Sequence, residues 1–600
     1  MLRLLTAILA LLIAGAAYFV RLLYQKRKEL EGLLATPKMS QNVWLIEDIQ
    51  PHPPMESIFW GHLPIAGECR ELFPPQVHMQ SWANYIRKKY DMGDVFYVDW
   101  WPLGPRWLFV ADPELTSKYI TTGQSLRKSH LTTSYLKRLL GKFNMVILEG
   151  QQWKFLRSIF NPGFSASHLI TLVPYIVDAT VVFLDILREK ARTNELIKLD
   201  FYSTRYTIDI IGKIVMETDF DSQTRDHPIV TTFRRQVELM PVSTSITPLL
   251  DFSLINEIKL WRNERKLDAL IGAEIDKRIA LRNQERQSAQ PSEKKDRKRS
   301  VVDLALDAYD KETAGTSGSK TSSTNELMAS FRTTAIDSIK TFIFAGHDTT
   351  SATISYTMYL LRLHPEVHAK LVAEVKTVFG SDAATSTALA DAIKRDPHAL
   401  NKLEYMTAVI KEVLRLFPPA STLREYDTAT GKEDAMIDLK TGQRLPMKGF
   451  DLWPVATMIH RNEAFFPDPV KFVPERFLPH QTPYPDAKLH TPAGKDAWRP
   501  FEKGPRNCIG QELAMLETKI ALSLVVPELD FTAEYDGKPI NVGDWVPVET
   551  RDEYKDGRPG VERLTIEGHR PYQVLLGAAR PADGMTGRLR LRRCDGMGCE

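Results

Sequence analysis

The sequence predicts a mainly α-helical protein with small β-sheets, preceded by a membrane-spanning helix. Three observations carry this. Residues 333–363 place Ile336, Ile339, Phe342 and Ile343 at helical spacing and are closed by His364-Pro365. Two short β-prone runs, 95–100 and 107–110, flank the turn Pro102-Leu103-Gly104-Pro105. Residues 4–20 form a nearly continuous apolar run, at the short limit for crossing a bilayer.

That run is read as an uncleaved anchor over residues 1–24. Ala14-Gly15-Ala16 resembles a signal-peptide cleavage site, but the apolar run continues past it. Lys26-Arg27-Lys28 follow it against a single Arg3 before it, which puts the body of the chain on the cytosolic side. Residues 25–55, basic and then rich in proline (Pro51, Pro53, Pro54), read as a stiff linker. The expected location is the endoplasmic reticulum membrane, crossed once.

Over 600 residues the net charge is only +3, which implies no nucleic-acid footprint. Four cysteines, Cys69, Cys508, Cys594 and Cys599, are too few for a disulfide framework and fit a reducing compartment. Asp112-Pro113-Glu114 reads as an N-cap with proline at the first helical position. Residues 151–160 read as a helix on which Trp153 and Arg157, four apart, share a face. Residues 281–325, with a charge run at 294–299 and Gly, Ser and Thr at 315–324, read as a mobile loop.

The most specific signal is residues 501–510, Phe-Glu-Lys-Gly-Pro-Arg-Asn-Cys-Ile-Gly. Cys508 sits on a glycine-bounded loop just before a helical segment. Helix N-terminal amides and nearby arginines favour a thiolate over a thiol. A thiolate on such a loop suits an iron ligand. The spacing F-x-x-G-x-R-x-C-x-G resembles the haem-binding loop of the cytochrome P450 monooxygenases at every defined position.

A second motif lies mid-helix, Ala345-Gly346-His347-Asp348-Thr349-Thr350. A glycine, an acid and two threonines make poor helix, and a broken local rule points to function. It resembles the family's A-G-x-D/E-T-T. Breaking an O–O bond needs two protons, so an acid and an alcohol suit the chemistry. Small Ala345 and Gly346 are expected to leave room for dioxygen and substrate. His347 is read as structural or substrate-facing, since a second iron ligand blocks oxygen.

The resemblance covers roughly residues 50–575. It implies the P450 fold over residues 56–578, with residues 579–600 left as a disordered basic tail. It implies haem b, with Cys508 as axial ligand and Trp153, Arg157, Arg424, Phe501, Arg506 and Gly510 around the cofactor. It implies Asp348 and Thr349 as the catalytic pair. Glu412, Arg415 and Arg476, from E-x-x-R and P-E-R-F, are expected to hold the fold. Phe342, Phe344, Ala345, Ala420, Thr422 and Leu423 are candidate pocket residues, with Ser421 and the loop 129–135. Expected partners are a lipophilic small molecule, the membrane and an NADPH–cytochrome P450 reductase, a flavoprotein that docks near Lys154 and Lys503. The implied activity is monooxygenation, of the type found in fungal secondary-metabolite biosynthesis. The alternatives are a haem-thiolate isomerase or dehydratase, a lipid or fatty-acid hydroxylase, and a non-catalytic haem sensor or electron carrier. Asp348 and Thr349 argue for an oxygen-activating enzyme.

Overall fold

The computed structural model describes residues 2–34, 60–74, 76–240, 253–288, 300–307, 324–428, 431–438, 442–535, 537–540 and 566–592. Its axis is the helix Thr324–Leu363, which carries the mid-helix motif. Leu199–Met216 packs along it, and Glu404–Leu416 and Gln511–Val525 pack beside it. Ile339 and Ile343, four apart on the long helix, are fully buried in the main core. Apolar stripes on these helices bury one another, which supplies most of the driving force for this arrangement.

A five-stranded sheet flanks the helices. Its order is Val95–Asp99, Arg106–Val110, Asp451–Pro454, Arg424–Glu425, Arg127–Lys128. The first two strands pair antiparallel, Val95 opposite Val110, and every residue in both is buried. Trp107 anchors one face, edge-on to Trp100 at 4.7 Å and to Trp453 at 5.1 Å. Asp112 caps the following turn by accepting from the Leu115 N–H at 2.8 Å.

Three expectations are corrected. The first concerns the anchor and linker. One helix runs unbroken over Leu2–Leu34, so residues 25–34 are not linker. Residues 35–55 lie outside the described residues. Leu23 and Arg27, four apart, turn toward the body and are buried. Arg27 Nη1 lies 2.7 Å from Asp99 Oδ2 and donates to Asp99 O at 3.1 Å. Phe19 stacks on Trp101 at 5.6 Å. A charge buried this deeply needs its counterion, and Asp99 is that counterion.

The second concerns 281–325. The helix Leu254–Ser288 extends into it and residues 301–307 are helical, with Val301 and Leu306 fully buried. Arg278 Nε donates to Asp303 Oδ1 at 2.8 Å across this junction. Residues 289–299 and 308–323 lie outside the described residues. Similarly, residues 130–135 belong to a helix, His130–Leu140, rather than a loop.

The third concerns the tail. Gln573–Leu576 and Ala578–Pro581 form a hairpin, and Thr586–Leu591 lies between Leu529–Tyr535 and Ile197–Lys198 in a second sheet. Gly587 and Leu589 point inward while Arg588 reaches Glu534 at 2.9 Å. The strand alternates small or apolar with basic residues, so its basic content masked a period-two pattern. Cys594 and Cys599 lie outside the described residues.

Candidate active site

Cys508 sits at the end of a tight loop in which its N–H donates to Phe501 O at 2.9 Å. Gly504 has φ +81, and a Cβ there would fall 2.7 Å from Thr121 O, so glycine is required. Gly510, unlike Gly504, is not required by its backbone conformation. Its φ is −89 and a Cβ would lie 3.9 Å from Cys508 Sγ, an ordinary contact. What it contributes is its N–H, which bonds the sulfur just before the helix Gln511–Val525. Burial pushes the Cys508 thiol up, while the Gly510 N–H and Arg157 act in the opposite direction. Cys508 is nonetheless accessible, on a loop whose Phe501 lines an internal slot.

Ala345 and Ala420 are also accessible although they lie on elements buried in the core. Nearby, a cleft of ≈ 240 Å³ is lined by Thr349, Thr353, Leu414, Pro419, Phe501 and Met515. The long helix and the cysteine loop therefore border one space. Thr349 Oγ1 donates to Ala345 O at 2.8 Å, a local back-bond in the helix. Gly346 does not face the slot; a Cβ there would meet Ile211 Cδ1 at 2.9 Å on the neighbouring helix. Phe342 is core as well, 5.0 Å from both Phe160 and Phe164. Phe344 is partly buried beside Phe233, and Leu423 packs against the sheet cluster.

Asp348 is buried rather than solvent-facing. His347 Nε2 lies 2.6 Å from its Oδ1, and Arg580 donates to the same oxygen. Burial by itself raises such an acid, but Arg580, with His347 beside it, holds Asp348 below the ordinary carboxylate range. His347 packs edge-on to Phe233 at 6.0 Å, a structural position.

The sheet brings a set of cations to one edge of the site. Lys128 pairs in register with Arg424, two positive side chains directly opposite. Such a pair is unfavourable unless an anion lies between them. Burial, and Arg424 next to it, push Lys128 well below its ordinary value. Lys128 Nζ donates to Thr422 Oγ1 at 3.1 Å. Arg424 Nη1 donates to Leu126 O at 2.9 Å, but its Nε and Nη2 have no hydrogen-bond partner. Arg506 donates to Leu148 O at 2.8 Å and to Glu149 at 2.9 Å, and its Nη1 is without one. Its guanidinium covers the Trp153 ring at 4.5 Å. Arg157 is already committed, donating to Asn507 O at 2.8 Å and Oδ1 at 3.0 Å. It braces the cysteine loop.

Behind this edge, Glu412 accepts from Arg415 Nε at 2.7 Å and Arg476 Nε at 3.0 Å, all three at most 1% exposed. Arg415 also donates to Pro469 O at 2.6 Å and Lys471 O at 2.9 Å. This ties the helix Glu404–Leu416 to the segment that leads into the cysteine loop.

A family model described as Cytochrome P450 matches residues 51–549. The chain belongs to the cytochrome P450 family. It is 32% identical over 546 residues to cytochrome P450 monooxygenase polC of Polytolypa hystricis, covering 90% of this chain and 89% of that protein. It is 34% identical over 523 residues to cytochrome P450 monooxygenase acrF of Aspergillus aculeatus, covering 85% and 97%. The solved haem domain of cytochrome P450DA shares the fold, with a TM-score of 0.63 at 20% identity, over 90% of this chain and 98% of that one.

P450 membership implies haem-dependent monooxygenase chemistry, and the residues here fit haem. The open sulfur matches the iron, and the under-paired guanidinium nitrogens of Arg424 and Arg506 match two propionates. Lys128 and Asn507 escaped the reading of the sequence. A lone lysine before Ser129 carries no local signal, and only strand register sets it against Arg424.

Proposed function

We propose that this P450 takes electrons from NADPH through a flavin reductase and inserts one oxygen atom into a lipophilic small molecule of fungal secondary metabolism. Bound haem supplies the iron on which dioxygen is activated. The chain does the rest. Cys508 is the thiolate ligand, and the Gly510 N–H and Arg157, which braces its loop, act against the burial that raises the free thiol. Arg424, Arg506 and Lys128 neutralise the propionates, and Trp153 and Phe501 pack around the ring. Ala345, Ala420 and Phe344 shape the substrate side. Asp348 carries protons toward Thr349, whose hydroxyl stands on the slot face. The observation that carries this reading is that the long helix, through Thr349, and the loop of the accessible Cys508, through Phe501, line one cleft, while Arg424 and Arg506 nearby keep guanidinium nitrogens without a hydrogen-bond partner.

The membrane reading rests on the anchor helix and on a second exposed patch. Ile8–Glu29 has mean hydropathy 1.7 and is 6% buried. Leu254, Ile255, Ile258 and Trp261, at the start of one helix, are each 47% exposed or more. Lipid is the natural cover for both. The body then lies in the cytosol on the endoplasmic reticulum, single-pass. Lys154 is exposed near the cysteine side and available to an acidic reductase, whereas Lys503 is only partly exposed.

Cys508→Ser is expected to abolish the reduced-CO absorption band of thiolate haem. Retention of that band refutes the ligand assignment. Comparing metabolites from a fungal strain with and without the gene identifies the substrate class; accumulation of a more oxidised precursor in the deleted strain overturns the oxygen-insertion reading.

A further inference from the structure

Across the five-stranded sheet, one row of directly opposed residues runs Arg127, Glu425, Asp451, Trp107. Its charges do not balance. Arg127 neutralises Glu425, with Nε 2.7 Å from Oε1, and its Nη1 lies 3.7 Å from Asp427 Oδ2. Asp451 is left with a carboxylate on one side and an indole on the other. Like charges directly opposite each other on a sheet are destabilising. Asp451 is only 6% exposed, and its Oδ1 accepts from Ser129 Oγ at 2.5 Å. Among the described residues its Oδ2 has no hydrogen-bond donor. The third member of the cluster is His130, the exposed first residue of the helix His130–Leu140. Its Nδ1 lies 3.4 Å from Glu425 Oε2, and its N–H donates to the same oxygen at 3.0 Å. One donor atom from each of His130, Glu425 and Asp451 lies within 4.8 Å of the others.

The 3.4 Å between imidazole and carboxylate is long for a charge-assisted hydrogen bond, which closes to about 2.7–2.9 Å. It is close to the edge of a tetrahedron whose centre lies about 2.0–2.1 Å from each corner, the distance at which zinc holds imidazole and carboxylate. The geometry points to a divalent transition-metal site: His130 Nδ1, Glu425 Oε2 and a carboxylate oxygen of Asp451 bind zinc, with water in the fourth position. The donor set selects the ion. One imidazole with two carboxylates suits zinc. Calcium takes about six to eight oxygens, and magnesium prefers an octahedron of oxygens, which this cluster does not offer. The ion neutralises the surplus charge of the row, and Ser129 orients the Asp451 ligand through its hydroxyl. Ser129 also caps the helix, its Oγ accepting from the Leu131 N–H at 3.1 Å. Zinc therefore fastens the start of that helix to the strands of Glu425 and Asp451. Residues 129–135, expected from the sequence to border the pocket, are the part so fastened. Lys128 and Arg424 occupy the alternate face of the same strands, so the ion leaves the haem edge free.

The test uses the full chain with haem, without a polyhistidine tag, in neutral detergent micelles, with zinc chloride as the probe. Equilibrium dialysis with metal analysis should find one zinc per chain, held against excess magnesium. His130→Ala and Asp451→Asn should each weaken that binding at least about tenfold, the lower end of what lost outer-shell support costs. X-ray absorption at the zinc edge should show only nitrogen and oxygen neighbours in the parent, at about 2.0–2.2 Å. In His130→Cys it should show one sulfur at about 2.3 Å. Zinc should slow hydrogen exchange of the amides of residues 131–135 several-fold in the parent and not in Asp451→Asn. The reduced-CO band reports whether each variant keeps its fold. Should the buried Asp451→Asn lose that band, the exposed His130→Ala and His130→Cys carry the test. A parent that holds no stoichiometric zinc, zinc bound equally well in His130→Ala, or a sulfur neighbour in the parent, from Cys594 and Cys599, overturns the site. Zinc binding with exchange unchanged overturns the fastening of the helix.

Discussion

At the scale of single residues, the cations of the site divide by what they already bond. Arg157 spends its donors on Asn507, within the cysteine loop. Arg424 holds two nitrogens without a hydrogen-bond partner although its side chain is 1% exposed. An unmet buried donor costs about 1–3 kcal/mol, more for a charged group, and a propionate removes that cost. Two substitutions should therefore fail differently. Arg424→Leu should lower haem content per protein several-fold, read by the pyridine haemochrome absorbance. Arg157→Leu should retain more haem but convert part of the reduced-CO band to the thiol-ligated form, because the loop and the thiolate lose their brace. The motif around Cys508 was legible from its spacing alone. The motif Trp153/Arg157 was legible as a pair, but its partner was not. Which acceptor a guanidinium finds depends on a loop 350 residues away.

At the scale of elements, the helix Glu404–Leu416 is joined to the region of Arg476 by one carboxylate. Burial by itself raises Glu412, but Arg415 and Arg476 overcome it and hold the acid below its ordinary value. A lowered acid stabilises the fold fully above its unfolded-state value, near 4.5, and loses that contribution as pH falls through the folded-state value. Glu412→Gln leaves two buried guanidinium groups without their counterion. Denaturant melts at neutral pH should show a loss of about 3–5 kcal/mol. The variant's stability should also fall less steeply with pH below the ordinary glutamate range. An equally steep acid limb would remove Glu412 as its source. The long helix shows the same limit of local reading. Its apolar spacing announced the helix, but not which of its small residues open the slot. Ala345 does, while Gly346 is small because Ile211 lies against it.

At the scale of the whole molecule, the C-terminal strands close the fold and reach the active site from behind. Thr586–Leu591 pairs with Leu529–Tyr535, Leu589 opposite Phe531, and Leu589 is fully buried. Leu589→Ala should cost about 2–5 kcal/mol in thermal or urea unfolding. A loss no larger than that of an exposed leucine would show the strand to be dispensable. The N-terminal apolar helix is likewise joined to the body, through Arg27 on Asp99, rather than tethered by a linker from residue 25. By itself the sequence determined the family, the cysteine loop and the mid-helix motif that mark it, the Glu412 cluster and the apolar N-terminal helix. Each is a local pattern whose chemistry demands fixed residue types at fixed spacing. Only the tertiary structure decided that Asp348 is clamped by Arg580, that Lys128 faces Arg424, that Phe342 is core, and that the basic C-terminal segment is a strand. Those outcomes depend on pairing between residues far apart in the chain, where charge and burial are set by neighbours that no local window contains.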